Sequence, residues 1–296
     1  MRGTHPERAI ERAVEQGGVI RKGDRVVVAC SGGPDSIGLA AILHAIAKPM
    51  ELQLTLAHVN HGVRASAWQD EAVVLRASAA LGIRAKTIAL QVERADEATL
   101  RDARYEALVA VARECGANAI ATGHNAEDQT ETVLLALFRG TGPQGLAGMP
   151  ARRPLVADVE LARPLLRFAR AQIREYVQIS GLPYSVDPTN ADVAFRRNAV
   201  REALAALRPL FPGLDAAVAR AAQVVGDELA EAPQATLRRQ VRETLREHQA
   251  LRGVDFDHIE AAVRALERGG DGRFAMGPGV ELTIENGELT VHREMR

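Results

Sequence analysis

Lysine is nearly missing from this 296-residue chain: Lys22, Lys48 and Lys86 are the only three among 37 basic residues. Almost all positive charge is therefore guanidinium, the group that forks onto phosphate and carboxylate, and lysine-based mechanisms have few candidates. Cysteine is equally scarce. Cys30 and Cys115 lie far apart with no C-x-x-C, so a disulfide framework, a thiolate zinc site and an iron–sulfur cluster all lack ligands, and a reducing compartment is expected. One Trp, three Tyr and six Phe are too few for a broad base-stacking platform. No run reaches the ~18 apolar residues of a membrane span, and the amino terminus has no signal-type apolar core. A soluble, cytoplasmic protein is the expectation. The formal net charge of −1 excludes a globally basic nucleic-acid coat, so RNA contact would need a local patch.

What is present is apolar residue in quantity, 47% of the chain, enough to core about two domains. A helix is expected over 6–16, with Pro at its start and Gly17-Gly18 as its stop. Arg25-Val26-Val27-Val28-Ala29-Cys30 then reads as a strand buried on both faces. The pattern repeats: helix 34–47, strand 52–59, helix 69–81, strand 83–90, helix 97–114, strand 118–122, helix 127–138. Such alternation implies an α/β fold, a parallel doubly wound sheet. Residues 139–150 hold four glycines and two prolines, which predicts a functional surface loop able to act as a lid. Residues 151–212 carry ten Arg against six acidic residues and make the best RNA-facing patch. The Pro and Gly of 208–213 predict a hinge between domains 1–207 and 214–296. The second, smaller domain reads as mainly helical and ends in a β-hairpin turned at Asn286-Gly287.

The chemistry starts at Ser31-Gly32-Gly33-Pro34-Asp35-Ser36, set between a buried strand and a helix. Backbone N–H groups and two hydroxyls there point from a helix N-terminus at an anion, and phosphate is the natural one. It is neither a Walker loop, which needs G-x-x-x-x-G-K-[ST], nor a G-x-G-x-x-G turn. With no lysine to neutralise a triphosphate, Asp35 makes sense as a partner for Mg²⁺. A magnesium nucleotide, ATP with Mg²⁺, is implied.

This hexapeptide is similar to the S-G-G-x-D-S loop of the PP-loop ATP pyrophosphatases, which cleave ATP between the α and β phosphates, adenylate a substrate and release pyrophosphate. Further segments resemble the tRNA(Ile)-lysidine synthase family: His58 to Arg64 within Ala57-His-Val-Asn-His-Gly-Val-Arg64, Arg101-Asp-Ala-Arg-Tyr105, and Thr122-Gly-His-Asn-Ala-Glu-Asp-Gln-Thr-Glu-Thr132. Arg139-Gly-Thr-Gly142, Arg163-Pro-Leu-Leu166, Asp187-Pro-Thr-Asn190 and Phe195-Arg-Arg-Asn198 with Arg201 extend the likeness over 25–213. Departures are small: Glu127 for Asp, Phe195 for Tyr, Val63 for Leu, Leu100 for Ala. The resemblance implies the compact form of the family, a C–N bond-forming ligase. In that reaction ATP activates the C2 oxygen of the wobble cytidine in the CAU anticodon of tRNA(Ile), and the ε-amine of free L-lysine then displaces AMP. The codon read changes from AUG to AUA and the identity from Met to Ile.

Roles follow from motif position and chemistry together. Asp128 and Glu131, three apart on one predicted helix, could bind a lysine ammonium or orient its amine. They sit just past the carboxyl end of a strand, where open α/β sheets place ligands, with His124 alongside to bond nucleotide or the C2 oxygen. The resemblance puts Arg104 and Arg197 near the reacting centre as clamps for the α-phosphate, with Arg139 and Arg64 as weaker candidates for tRNA or nucleotide contact. A zinc site from His58, His61 and His124 is rejected for want of cysteines or an H-E-x-x-H helix. Trp68, Tyr105, Tyr176 and Phe195 are expected to pack rather than stack on bases. The carboxy-terminal domain is expected to grip tRNA, and the oligomeric state stays open, a homodimer included. The rival reading is a PP-loop tRNA 2-thiolation enzyme, which needs a persulfide-carrying cysteine. A nucleotide sensor without catalysis would have no use for Asp128, Glu131 and the extra arginines.

Overall fold

The computed structural model describes residues 6–60, 67–90, 97–185, 195–231, 233–251, 254, 256–277 and 279–293. After α1 (Pro6–Gln16), the chain alternates β1 (Arg25–Ala29), α2 (Pro34–Ala47), β2 (Gln53–Asn60), α3 (Ala67–Leu81), β3 (Arg84–Ala89), α4 (Glu97–Cys115), β4 (Ala119–Ala121) and α5 (Ala126–Leu137). A short α6 (Pro143–Leu146) interrupts the expected loop, and an unforeseen hairpin of β5 (Arg152–Val156) and β6 (Val159–Ala162) follows. Next come α7 (Arg170–Ser180), α8 (Phe195–Leu207), α9 (Leu214–Glu231), α10 (Pro233–Glu247) and α11 (Phe256–Glu267). The last elements are β7 (Gly272–Gly277), β8 (Val280–Glu285) and β9 (Glu288–Arg293).

Six strands form one sheet in the order β3-β2-β1-β4-β6-β5, parallel except for the edge strand β5. Val26, Val27 and Val28 at its centre are fully buried because both faces are covered. Val26 and Val28 pack with side chains of α1, α2, α3 and α7, whereas Val27 packs with α4. Each such burial stabilises by roughly 1.5–3 kcal/mol. Pro154 sits on the edge strand, where no ladder donor is needed. Its neighbour Arg152 turns inward to Asp24 at 2.7 Å and Glu160 at 2.6 Å.

Helix α2 is the central helix of this layer, with Ile37, Leu39, Ile42 and Leu43 all inaccessible. Gly38 lets α7 come close: a Cβ there would lie 2.6 Å from Ile173 Cγ2 and 2.9 Å from Val177 Cγ2.

The chain divides into two compact units, Met1–Gln129 with Pro150–Ala219 and Thr130–Met149 with Arg220–Arg296. This differs from the 1–207 and 214–296 division read from the hinge composition. Arg208, just past α8, pairs with Asp215 in the first turn of α9 at 2.8 Å, so the Pro-Gly stretch is bridged and the start of α9 groups with the first unit. In the other unit, a Cβ on Gly226 of α9 would meet Ala147 Cβ at 3.7 Å, so the 130–149 segment groups there. That unit buries Val241 and Leu245 of α10 and Ile259, Ala262 and Val263 of α11 against Met276, Leu282 and Ile284. Its end is a three-stranded antiparallel sheet, β7-β8-β9, rather than a lone hairpin. The expected turn is there, with φ of 53° at Asn286 and 80° at Gly287, the signs a two-residue hairpin turn demands.

Candidate active site

The Ser31–Ser36 loop links β1 to α2. Gly32 takes a φ of 92°, which L side chains resist, and a Cβ there would come within 3.1 Å of the Asp70 carbonyl oxygen. The Gly32 carbonyl accepts from the Ser185 amide at 2.9 Å, and the Ser185 hydroxyl bonds Asp70 at 2.5 Å, so the loop is clamped from outside. Inside it, the Ser36 hydroxyl donates to Gly33 O at 2.9 Å and accepts from the Ser31 amide at 3.1 Å. Gly33 is the N-cap of α2 and Pro34 opens the first turn, yet no side chain caps that end. The loop is thus held rigid by its serines while the helix N-terminus keeps its amides for an anion.

A second segment closes on this loop from β4. Gly123 abuts Asp35 so tightly that a Cβ would sit 2.8 Å from the Asp35 carbonyl oxygen. Asn125 then caps α5 reciprocally: its amide donates to Asp128 Oδ2 and its Oδ1 accepts from the Asp128 amide, each at 3.1 Å. Its Nδ2 donates to Asp35 Oδ2 at 3.1 Å, which joins the two segments. Arg170, at the start of α7, lies between the carboxylates, with Nε 3.4 Å from Asp35 Oδ2 and Nη2 3.3 Å from Asp128 Oδ1. The Arg170 amide donates to both Glu127 carboxylate oxygens at 3.0 and 2.9 Å, an anion placed at a helix N-terminus.

Burial pushes the Asp35 carboxyl up to about 6; Arg170 and Arg174 oppose the rise, and Asp128 and Glu127 add to it. Its Oδ1 is buried without a hydrogen-bond partner. An unspent carboxylate oxygen beside an anion-ready helix end suits a hard divalent cation that shares its other ligands with phosphate. Among the described residues no three acidic, histidine or cysteine side chains converge into a self-sufficient metal site.

His124 stands next to this cluster, its Nδ1 2.8 Å from the Thr122 hydroxyl. Burial, with Arg163, Arg104, Arg101 and Arg197 adding positive potential, pulls its pKa down to about 3, so the ring is neutral at physiological pH. Arg163 is itself 2% exposed and donates to the Pro150 carbonyl at 2.7 Å. The guanidinium groups of Arg101 and Arg104 lie 5.8 and 6.0 Å from the Tyr105 ring centroid.

Of the residues expected from sequence, Ser31, Gly32, Gly33, Pro34, Asp35 and Ser36 form the loop, Asp128 joins it through Asn125 and Arg170, and Arg104 and Arg197 act electrostatically on His124. Glu131, one turn beyond Asp128 on α5, is sunk to 1% exposure instead of sharing an open face. His58 donates Nδ1–H to the Cys30 carbonyl at 2.9 Å, a tie between strand ends. His61, Arg64, Asp187–Asn190 and the Phe195 side chain lie outside the described residues. Tyr176 packs, bonding Glu11, but Trp68, in the first turn of α3, is exposed, against expectation. The 151–212 arginines are not one surface patch: Arg152, Arg163, Arg170 and Arg208 all turn inward to protein partners.

Arg170, Asn125, Glu127, Arg101 and Arg163 were not assigned roles from sequence. Asn125-Ala126-Glu127-Asp128 carried a readable capping-box spacing, and Arg101 and Arg163 stood in the family-like segments 101–105 and 163–166, whereas Arg170 carried no signal.

The chain matches the family model described as a PP-loop domain over residues 3–207. It is 44% identical to a tRNA(Ile)-lysidine synthase of Salinispora tropica over 237 residues, 76% of this chain and 69% of that protein. Against a tRNA(Ile)-lysidine synthase of Geobacter sulfurreducens, identity is 39% over 240 residues, 78% of this chain but about half, 49%, of the relative. Among solved structures, a U34-tRNA thiolase of Methanococcus maripaludis with its [4Fe-4S] cluster superposes with a TM-score of 0.64 at 19% identity, covering 74% of this chain and 78% of that one. That likeness speaks to the fold alone.

Proposed function

The chain belongs to the tRNA(Ile)-lysidine synthase family of PP-loop ligases, and from that premise we propose that it joins free L-lysine to C2 of the wobble cytidine of tRNA(Ile) with a CAU anticodon, using ATP and Mg²⁺. The observation that carries the proposal is the uncapped α2 N-terminus beside the unpartnered Asp35 Oδ1. A carbonyl oxygen is a poor leaving group, so activation precedes substitution. In the first step the C2 oxygen attacks the α-phosphorus, and pyrophosphate leaves into the loop amides. In the second, the lysine ε-amine attacks C2, and the oxygen departs with AMP.

Asp35 would hold the Mg²⁺ through Oδ1, and that cation would neutralise charge on the phosphates. The guanidinium groups around His124, Arg104 and Arg197 among them, would take the charge that builds on the α-phosphate. Held neutral, His124 would orient the pyrimidine by hydrogen bonding instead of adding a cation. Asp128 would accept the lysine ammonium. In the carboxy-terminal unit, Arg238, Arg239, Arg242 and Arg246 on α10 support a tRNA backbone-holding role. A homodimer remains part of the proposal to be weighed by mass in solution.

The sulfur-transfer alternative has no supporting thiol. Burial pushes Cys30 up to about 12, far from thiolate character, and Cys115 closes α4. The test is to incubate the protein with ATP, Mg²⁺, lysine and a CAU-anticodon transcript and weigh the digested nucleosides. A cytidine heavier by lysine minus water supports the proposal; unmodified cytidine in several competent transcripts contradicts it.

A further inference from the structure

The phosphate loop has no lysine of its own, and the three in the chain are elsewhere: Lys22 pairs with Glu51, Lys86 with Glu114, and Lys48 caps the far end of α2. A guanidinium must therefore stand in for the lysine of other phosphate loops. Arg170 reaches Asp35 of the loop, and its grip is loose. Its contacts to Asp35 and Asp128 measure 3.4 and 3.3 Å, against 2.7 and 2.6 Å where Arg152 is locked onto Asp24 and Glu160. Its Nε is buried with no hydrogen bond, and so is Oδ1 of the facing Asp35. A cation and an anion side by side, each with an unused hydrogen-bonding atom, form an arrangement that a third group completes.

We propose that Arg170 is a mobile counter-cation of the phosphate loop: it rests on Asp35 and Asp128 in the free protein and moves onto the pyrophosphate oxygens when a divalent cation takes Asp35. This rests on the reading of Asp35 as the metal carboxylate. The side chain is the part that moves, because the backbone is pinned twice. Glu127 holds the Arg170 amide, and Ile173 and Val177 seat α7 on Gly38 of α2. Arg174, one turn on, also lends positive potential to Asp35, so the carboxylate does not lose all its cationic company when Arg170 leaves. In the free state one guanidinium faces two carboxylates; in the loaded state it faces a triphosphate, for which its planar fork is the better match.

The test uses the full chain and two variants, Arg170→Gln and Arg170→Lys. Mn²⁺ binding without nucleotide is followed by electron paramagnetic resonance, and ATP binding with Mg²⁺ by calorimetry. Removing a cation that competes for Asp35 should tighten Mn²⁺ severalfold in Arg170→Gln, whereas losing a charge-assisted phosphate contact should weaken ATP by about tenfold. Opposite signs are the signature, since a merely structural role moves both affinities the same way. Shifts of the same sign, or none, overturn the proposal. Arg170→Lys covers a folding failure of the neutral variant: ATP affinity is expected to fall severalfold with Mn²⁺ affinity little changed, and unchanged ATP affinity overturns the proposal. A wild-type protein that binds neither Mn²⁺ nor ATP with Mg²⁺ would instead sink the phosphate-loop reading itself.

Discussion

Gly38 of α2 and Ile173 of α7 are packed so closely that a single added Cβ on Gly38 would lie 2.6 Å from Ile173 Cγ2. Through that contact the helix that begins at the phosphate loop fixes the helix that carries Arg170. Substituting Gly38→Ala should therefore destabilise the fold, by about 1–3 kcal/mol as overpacking does, and also weaken ATP binding, because α7 must shift. Thermal unfolding and calorimetry check both, and Ile173→Ala in the same chain, which removes the Cγ2 that the new methyl would meet, should recover part of the lost ATP affinity. Unchanged nucleotide affinity in a folded Gly38→Ala protein would show that α7 does not position the site.

His124 gives a pH dependence with a definite sign. Its folded pKa, about 3, lies below the 6.5 of a free imidazole, so between those values the unfolded chain binds more protons than the folded one. The stability linked to this ring is present above 6.5 and is lost as pH falls, by up to about tenfold in the folding equilibrium per pH unit. A His124→Gln variant should show a flatter acid limb between pH 6.5 and 5 in denaturant titrations. A limb as steep as that of the wild type would place the ring in contact with water.

The two cysteines should be dispensable for chemistry. Cys30 is buried against the Ser36 carbonyl and its thiol is pushed up to about 12, so neither it nor Cys115 at the end of α4 is placed as a sulfur carrier. A Cys30→Ala/Cys115→Ala double variant should retain nucleoside modification at close to the wild-type rate per folded molecule. Loss of modification with an intact fold would revive the thiolation reading.

The alternation of strands and helices was legible because glycines stop the helices and Val26-Val27-Val28 can only be a strand covered on both faces. The phosphate loop was legible because its residues are contiguous. The β5–β6 hairpin is hard to read because Arg152-Arg153-Pro154 looks like a basic, strand-breaking stretch; its backbone pairs antiparallel with β6, and Arg152 turns its charge inward onto Asp24 and Glu160. Strand β7, bounded by Gly272 and Gly277, hid for a similar reason. Arg170 is one of ten arginines in 151–212, and nothing local marks it; the packing of α7 on α2 selects it. Glu131 shows the limit of helical spacing, which places a carboxylate on a face but does not say how deep that face is buried.

The central claim is that the Ser31–Ser36 loop takes a pyrophosphate group while the α-phosphate is transferred to RNA. Phosphorus NMR of the products formed from ATP, Mg²⁺, lysine and a CAU-anticodon transcript reads this out directly. AMP and pyrophosphate in equal amounts, dependent on RNA and absent in Asp35→Asn, are the expected products. ADP with inorganic phosphate, or nucleotide cleavage indifferent to RNA, would contradict the account.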